Sequence, residues 1–161
     1  MNRTLATFLL IGVLTGLLAA LSLALEIKGY GFGRLGLQRL DGLANATTFI
    51  PLAALYAFAA TLVVTAPIGA AAFAHANGTT PIHTTALTLL ATIAGIQIAR
   101  FGFGNANALG VLLDWRFAFG AAIIAAHLSI NKLRRNALTR TVSFIGFTAA
   151  ALACLYWTFR I

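Results

Sequence analysis

Acidic residues are scarce in this chain. Only three of its 161 residues are Asp or Glu, against eleven Lys or Arg, and charged residues make up 9% of the chain. Soluble domains contain about 25% charged and about 45–50% apolar residues, whereas here 60% of the residues are hydrophobic. A soluble fold cannot bury that much apolar surface, so the composition excludes an ordinary soluble domain and indicates an integral membrane protein.

Cysteine is almost absent as well. Cys154 is the only one, which excludes both an intramolecular disulfide and a metal site built from several cysteines. The residue lies in an apolar run, where a lone cysteine acts as a small packing side chain.

The basic residues that give the chain a formal net charge of +8 are unevenly distributed. Four of them fall in one short connection between apolar segments, which is typical of a cytoplasmic loop held by the membrane potential and by anionic lipid. We therefore expect the lipid bilayer and anionic lipid as partners. We expect no nucleic acid, because no aromatic and basic binding motif accompanies the charge. The four residues are Lys132, Arg134, Arg135 and Arg140.

Five apolar segments are long enough to span a bilayer, which needs about 20 apolar residues for each helix. We predict an all-α integral membrane protein, a bundle of about five transmembrane helices in a single membrane domain over residues 1–161. Pro67 should kink the second helix, and the carbonyl that it frees needs another partner, such as a Thr hydroxyl. The fourth helix begins either before or after Asp114. The predicted helices cover residues 5–25, 47–74, 82–99, 108–130 and 142–159.

The position of the basic connection also predicts the orientation. If it is cytoplasmic, the N-terminus is cytoplasmic, the C-terminus is outside, and the protein is a multi-pass component of a bacterial inner membrane. The connection "AHANGTTPIH" is then inside, and residues 26–46 and 100–116 are outside. The first helix resembles a signal sequence in part, but small residues every fourth position give it a face for close helix packing, which favours retention. Those residues are Gly12, Gly16, Ala20 and Ala24.

Two glycine-rich stretches share one pattern. "GYGFGRLG" (29–36) and "RFGFGNANALG" (100–110) each place an aromatic residue, Gly, Phe and Gly after an apolar run. This predicts two parallel helix-hairpin repeats followed by one C-terminal helix. In each copy we expect glycine to end the helix in a left-handed conformation and the aromatic side chains to anchor an interfacial loop.

Polar residues that could bind or react are predicted at the outer face. Asp41 and Asp114 come from equivalent loops and are candidates for a general acid and base; alternatively, each caps a helix or pairs with a nearby arginine. The candidates for binding a ligand or an ion are Glu26, Gln97, Arg34, Arg100 and Arg116.

Three histidines are predicted near the inner ends of the second, third and fourth helices. His75 and His127 are candidates for holding a cofactor, and together with His83 they could ligate a haem or a metal. We predict neither, because no carboxylate or thiol lies on that side. The simpler interpretation is interfacial histidines that contact headgroups or water.

Three functions follow as hypotheses. Small-residue faces on most helices favour a non-catalytic helical subunit or accessory component that packs with other membrane subunits or with itself. The repeat and Pro67 favour a small-solute or ion transporter or channel. The aspartates favour a membrane-embedded hydrolase. Two further small-residue faces are formed by Ala118, Ala122 and Ala126 and by Gly146, Ala150 and Cys154.

Overall fold

The computed structural model describes residues 2–43 and 49–160, and every regular element in these ranges is helical. The prediction of an all-α chain is confirmed. A π-helical turn, His75–Thr79, joins the fourth helix to the fifth, and a 3₁₀ helix, Ala106–Leu113, precedes the sixth. The α-helices are α1 (Arg3–Ile27), α2 (Gly31–Leu43), α3 (Phe49–Thr65), α4 (Ile68–Ala74), α5 (Thr80–Gly102), α6 (Trp115–Leu133) and α7 (Ala137–Arg160).

Three helices in the described residues are long and apolar enough to cross a membrane. They are α1, the continuous helix Ile68–Gly102 and α7. The 3₁₀ helix and α6 meet at a bend of 47° and add a fourth if they count as one span. Helix α3 is apolar but shorter, and the predicted start of its span at Thr47 lies outside the described residues.

The chain differs from the predicted spans around Pro67. The second span, predicted to reach residue 74, ends at Thr65, and the connection predicted after it is helical instead. Proline has no N–H for the helical ladder, so the break falls at Pro67 rather than at the later Asn and Gly. The wide π-helical turn lets the helix continue towards Pro81, and Gly78 lies so close to α3 that an added Cβ would be 3.0 Å from Ala59 Cβ.

The α-helix in the fourth predicted span starts after Asp114. Helix α6 begins at Trp115, directly after Asp114, and the residues before Asp114 form the 3₁₀ helix. Asp114 has an extended backbone conformation with ψ of 150°. The bend therefore coincides with the one acidic residue of this segment.

The chain forms two compact units. The first comprises Met1–Asn45 and Leu87–Ala118, and the second comprises Ala46–Ala86 and Phe119–Ile161. Helices α5 and α6 contribute residues to both units, and the single membrane domain stays a prediction.

In the first unit, α1 and α5 run in the same direction and come closest where both helices have glycine. An added Cβ at Gly16 would lie 3.3 Å from the carbonyl oxygen of Gly95, and one at Gly12 would lie 3.6 Å from that of Ala91. The Thr15 hydroxyl donates to the carbonyls of Ile11 and Gly12 in its own helix. Two backbones can approach this closely only where side chains are missing, so the predicted packing face of the first helix is confirmed for Gly12 and Gly16.

Helix α2 folds back along the end of α1 where an interfacial loop was predicted. An added Cβ at Gly36 would lie 2.6 Å from Ser22 Oγ, and one at Gly33 would overlap the backbone of Ser22 and Glu26. These two glycines therefore permit the contact between the helices. A small core beneath them combines buried Ala19, Leu37 and Ile96 with the partly buried Leu23, Leu40 and Ala99.

The core of the second unit forms around α3. Its alanines and valines pack with Ala86 of α5, Ile123 and Ile130 of α6, and Cys154 of α7. Tyr56 meets Phe147 of α7 edge to face, with ring centroids 6.4 Å apart. Small side chains on α3 let several helices approach it, which holds together the elements that carry the histidines.

Candidate functional site

The three histidines meet in the second unit, where we call them the histidine stack. The His83 and His127 rings are 4.1 Å apart between centroids at an interplanar angle of 16°. The His75 and His127 rings are 5.0 Å apart at 9°. Three helical segments thus bring the only histidines of the chain into one column of nearly parallel imidazoles.

Hydrogen bonding fixes one end of the histidine stack and leaves two buried ring nitrogens of the described residues without a partner. Thr79 Oγ1 lies 2.8 Å from His75 Nδ1 and donates to the backbone carbonyl of His75 at 3.1 Å. The π-helical turn sets this contact, because it contains both residues. Nδ1 of His83 and Nδ1 of His127 are buried and have no hydrogen-bond partner among the described residues. Buried polar atoms without a hydrogen-bond partner cost stability, which makes these two rings candidates for a functional role.

The charge around the histidine stack is one-sided. The second unit contains no Asp or Glu in its sequence, and its charged residues are all Lys or Arg. A protonated histidine here therefore has no carboxylate of its own unit to neutralise it.

The haem or metal alternative stays a prediction. The three rings are stacked, and stacked rings hold their nitrogens in separate planes. Over residues 2–43 and 49–160, no group of three or more His, Cys, Asp or Glu could hold a metal ion.

Arg134 completes the hydrogen bonds that Pro67 interrupts. Its Nη1 donates to the carbonyl of Val63 at 3.3 Å, and its Nη2 donates to the carbonyl of Ala66 at 2.9 Å. Val63 lies four residues before Pro67, so its carbonyl is the one that a residue with an N–H would have bonded. The required partner is therefore a guanidinium rather than the expected Thr hydroxyl, and Arg134 has a role inside the unit as well as its predicted place near lipid.

An open apolar groove of about 330 Å³ runs along α3, α6 and α7. The small-residue faces predicted on α6 and α7 line it, except for Ala118, so these faces leave a space instead of closing on each other. Ala122, Gly146 and Ala150 are exposed there, whereas Tyr56 is buried beside it. We call this the small-residue groove. Its lining residues are Ala53, Tyr56, Ala57, Phe119, Ala122, Ile123, Ala126, Ser143, Gly146, Phe147, Ala150 and Cys154.

The two aspartates predicted at the outer face each pair with an arginine of the first unit. Asp41 of α2 accepts a hydrogen bond from Arg100 near the end of α5. Asp114 pairs with Arg116, with Nη2 and Oδ2 2.9 Å apart. Among the alternatives for these aspartates, the structure has the arginine pairs. Neither Asp41 nor Asp114 is a free carboxylate here.

The other predicted binding residues are dispersed. Gln97 is 8% exposed within α5, whereas Glu26 and Arg34 are exposed. Of the basic connection, Lys132, Arg135 and Arg140 are exposed; Lys132 lies in the last turn of α6 and Arg140 in the first turn of α7. Contact with anionic lipid stays a prediction.

Sequence reasoning missed Tyr56 and Thr79. Thr79 is fully buried and contacts His75, four residues before it, at a spacing that a helix brings together; the sequence analysis predicted a connection here and so did not apply that spacing. Tyr56 is 3% exposed with a hydroxyl that has no hydrogen-bond partner among the described residues. The sequence signal that could have identified Tyr56 is its hydroxyl group within an otherwise apolar run.

Comparisons with protein-family models, with curated proteins and with solved structures find no match for this chain. The candidate functions therefore rest on its own residues and geometry.

Proposed function

We propose that the protein is a non-catalytic helical component of a membrane complex. The observation that carries this proposal is the small-residue groove, because small exposed residues on neighbouring helices are the surface against which another membrane helix packs. The ligand that we propose for the groove is an apolar transmembrane helix of a partner subunit. The arginine pairs at both aspartates support a non-catalytic role over a hydrolase.

The proposal includes the finer arrangement expected from the sequence. It has five spans, with two parallel hairpin repeats and a C-terminal helix, in a bacterial inner membrane. The N-terminus is cytoplasmic, and anionic lipid contacts the basic connection. The parallel course of α1 and α5 supports this arrangement, because it brings the two glycine stretches to the same end of the first unit.

Photo-cross-linking in membranes tests the partner helix. A benzophenone probe is attached to Ala150→Cys in a Cys154→Ala chain, so that it is in the groove. We expect one protein adduct of defined size, whose partner co-purifies in a constant ratio. Ala122→Leu fills the groove from α6 and should lower the adduct yield at least tenfold.

The matched control carries the same probe on Ile145→Cys, which is 60% exposed on α7 and does not line the groove. It should give lipid adducts only. Lipid adducts alone from both positions would exclude a partner helix in the groove.

A second candidate is a membrane protein that moves protons, and the histidine stack favours it. Ionisable side chains within helices that could span a membrane are rare and mark ion or proton pathways in many transporters. His83 lies within the continuous helix Ile68–Gly102, whereas it was predicted near the inner end of a helix that begins at residue 82.

Proteoliposomes with an imposed potential and an internal pH dye test this candidate. Proton uptake should exceed that of protein-free vesicles and should fall at least tenfold in His83→Gln and in His127→Gln. Tyr156→Phe, a change at an exposed position on α7, should leave uptake unchanged. Equal rates in protein-containing and protein-free vesicles would discard proton movement.

A further inference from the structure

We propose that α2 is an interfacial helix that binds phosphate-bearing lipid headgroups. This inference concerns a surface other than the small-residue groove, but it relies on the proposed insertion of α1 in the membrane. The residues that carry it are Phe32, Leu35, Arg34 and Arg39, all on a 13-residue helix of about 20 Å.

Helical periodicity divides α2 into three strips. One strip packs against α1 and contains Gly33, Gly36, Leu37 and Leu40. On one side of it lie Phe32 and Leu35, which are 81% and 56% exposed, with the exposed Arg39 between them. On the other side lie Arg34, Gln38 and Asp41. Exposed apolar side chains beside a polar strip are the pattern of a helix that lies at the membrane surface.

The position of α2 fits this surface. It begins just after α1 ends and turns back along residues Ser22 to Glu26. If α1 spans the bilayer, this point is where apolar chain meets headgroups. Tyr30, in the turn between the two helices, is 57% exposed, and aromatic residues concentrate at this depth.

Charge selects the ligand. Lys28, Arg34 and Arg39 are exposed, and neither ion pair in the described part of the chain involves them. Arg100 already binds the only carboxylate of α2, so it does not compete for these cations. Long Lys and Arg side chains at a membrane interface can extend from the apolar region to the headgroup phosphates, so these three cations can bind phosphate.

Depth-dependent quenching by brominated lipids tests the placement. Phe32→Trp and Gln38→Trp are compared in chains whose Trp115 and Trp157 are replaced by Phe, in vesicles of phosphatidylcholine and phosphatidylglycerol. Bromines near the top of the acyl chains should quench Trp at position 32 at least twice as strongly as Trp at position 38. Equal quenching at the two positions would overturn the placement.

A third variant distinguishes misplacement of α2 from failure of the proposed insertion of α1. Leu14→Trp, at an exposed position midway along α1, should be quenched most by bromines near the ends of the acyl chains. If that variant is not quenched, insertion of α1 fails; if only position 32 is not quenched, α2 alone is misplaced.

Lipid selectivity tests the headgroup contact. Enrichment of phosphatidylglycerol over phosphatidylcholine around the protein is measured with spin-labelled lipids in Arg34→Gln and Arg39→Gln. Enrichment at the α2 site should fall about fivefold for each arginine removed, which corresponds to about 1 kcal/mol per cation near an anionic surface. Arg135→Gln serves as the control at the other basic cluster and should leave this site unchanged. Unchanged enrichment in both α2 variants would exclude the headgroup contact.

Discussion

Pro67 removes one backbone donor from the end of α3, and Arg134 replaces it from a distant part of the chain. One guanidinium reaches two carbonyls because its donors form a planar fork, which a lysine ammonium does not. The two contacts are part-buried, with donor-acceptor distances of 3.3 and 2.9 Å. A charged donor on partly buried carbonyls is worth more than an exposed ion pair.

Replacing Arg134 should therefore destabilise the second unit. We expect Arg134→Met to lower the free energy of unfolding by about 1.5–3 kcal/mol, the range for hydrogen bonds to charged groups. Arg134→Lys should recover only part of the loss. Denaturation in mild detergent, followed by circular dichroism, measures the effect. Arg135→Met removes an exposed neighbouring charge and should change stability little, so equal losses at the two positions would refute the role of Arg134.

The two long helices α1 and α5 end in the same hydrogen-bonded arrangement. Gly29 has a φ of +83° and Gly104 a φ of +93°. After α1, the N–H groups of Gly29 and Tyr30 donate to Glu26 and Leu25; after α5, those of Gly104 and Asn105 donate to Phe101 and Arg100. This is the Schellman ending, in which glycine avoids the steric cost of a left-handed residue. The expected helix stop is confirmed.

The equivalence of the two glycine stretches is incomplete, however. Aligned on Tyr30 and Phe101, Gly104 matches Gly33, whereas Gly29 matches Arg100. Helix α5 therefore runs about one turn further than α1. In the first copy Gly33 serves close packing of α2 against α1 instead of a helix end. Both copies of the proposed repeat therefore end a helix with a left-handed glycine, but the two glycines do not occupy matching positions in the alignment.

Alanine at the left-handed positions should shorten or strain both helix ends. We expect Gly29→Ala and Gly104→Ala each to cost about 1–2 kcal/mol, because a Cβ meets the following carbonyl in this conformation. Gly31→Ala is the comparison, since Gly31 lacks a positive φ and an added Cβ there would have open space. Thermal unfolding of the three variants measures the differences. A loss at position 31 as large as at 29 would contradict the argument.

The chain as a whole has more helix than its proposed spans require. The continuous helix Ile68–Gly102 has 35 residues, or about 50 Å at 1.5 Å per residue, whereas the hydrocarbon core is about 30 Å thick. Part of this helix must therefore tilt or project beyond the hydrocarbon core if it spans. Helix α3 turns into it at Pro67 and is shorter than the helices that are long enough to cross, so the five spans stay a proposal.

Cysteine labelling tests this topology. In a Cys154→Ala chain, Gly31→Cys and Gly102→Cys should react with an impermeant maleimide added outside sealed cells, because both follow helices proposed to run outward. Asn136→Cys, in the basic connection between α6 and α7, should react only after permeabilisation. Labelling of position 31 but not of position 102 from outside would overturn the parallel repeat and the proposed orientation together.

Composition and hydrophobic periodicity were sufficient for the helical class, for helices long and apolar enough to cross a membrane, and for glycine at the ends of α1 and α5. These properties depend on short stretches of chain, and local rules describe them. Residues 75–81 were predicted as a loop because Asn, Gly and Pro are frequent there, but packing of Gly78 against α3 favours the helix.

Only the tertiary structure decided which distant residues meet. The histidine stack, the Arg134 contact with α3 and the Arg100–Asp41 pair each join residues that are far apart in sequence. No periodicity records such pairings, because they depend on helix directions and on the close approaches that small residues permit. Likewise, the stripes of small residues on α6 and α7 were visible in the sequence, but whether they close on a neighbour or leave a groove depends on how the helices cross.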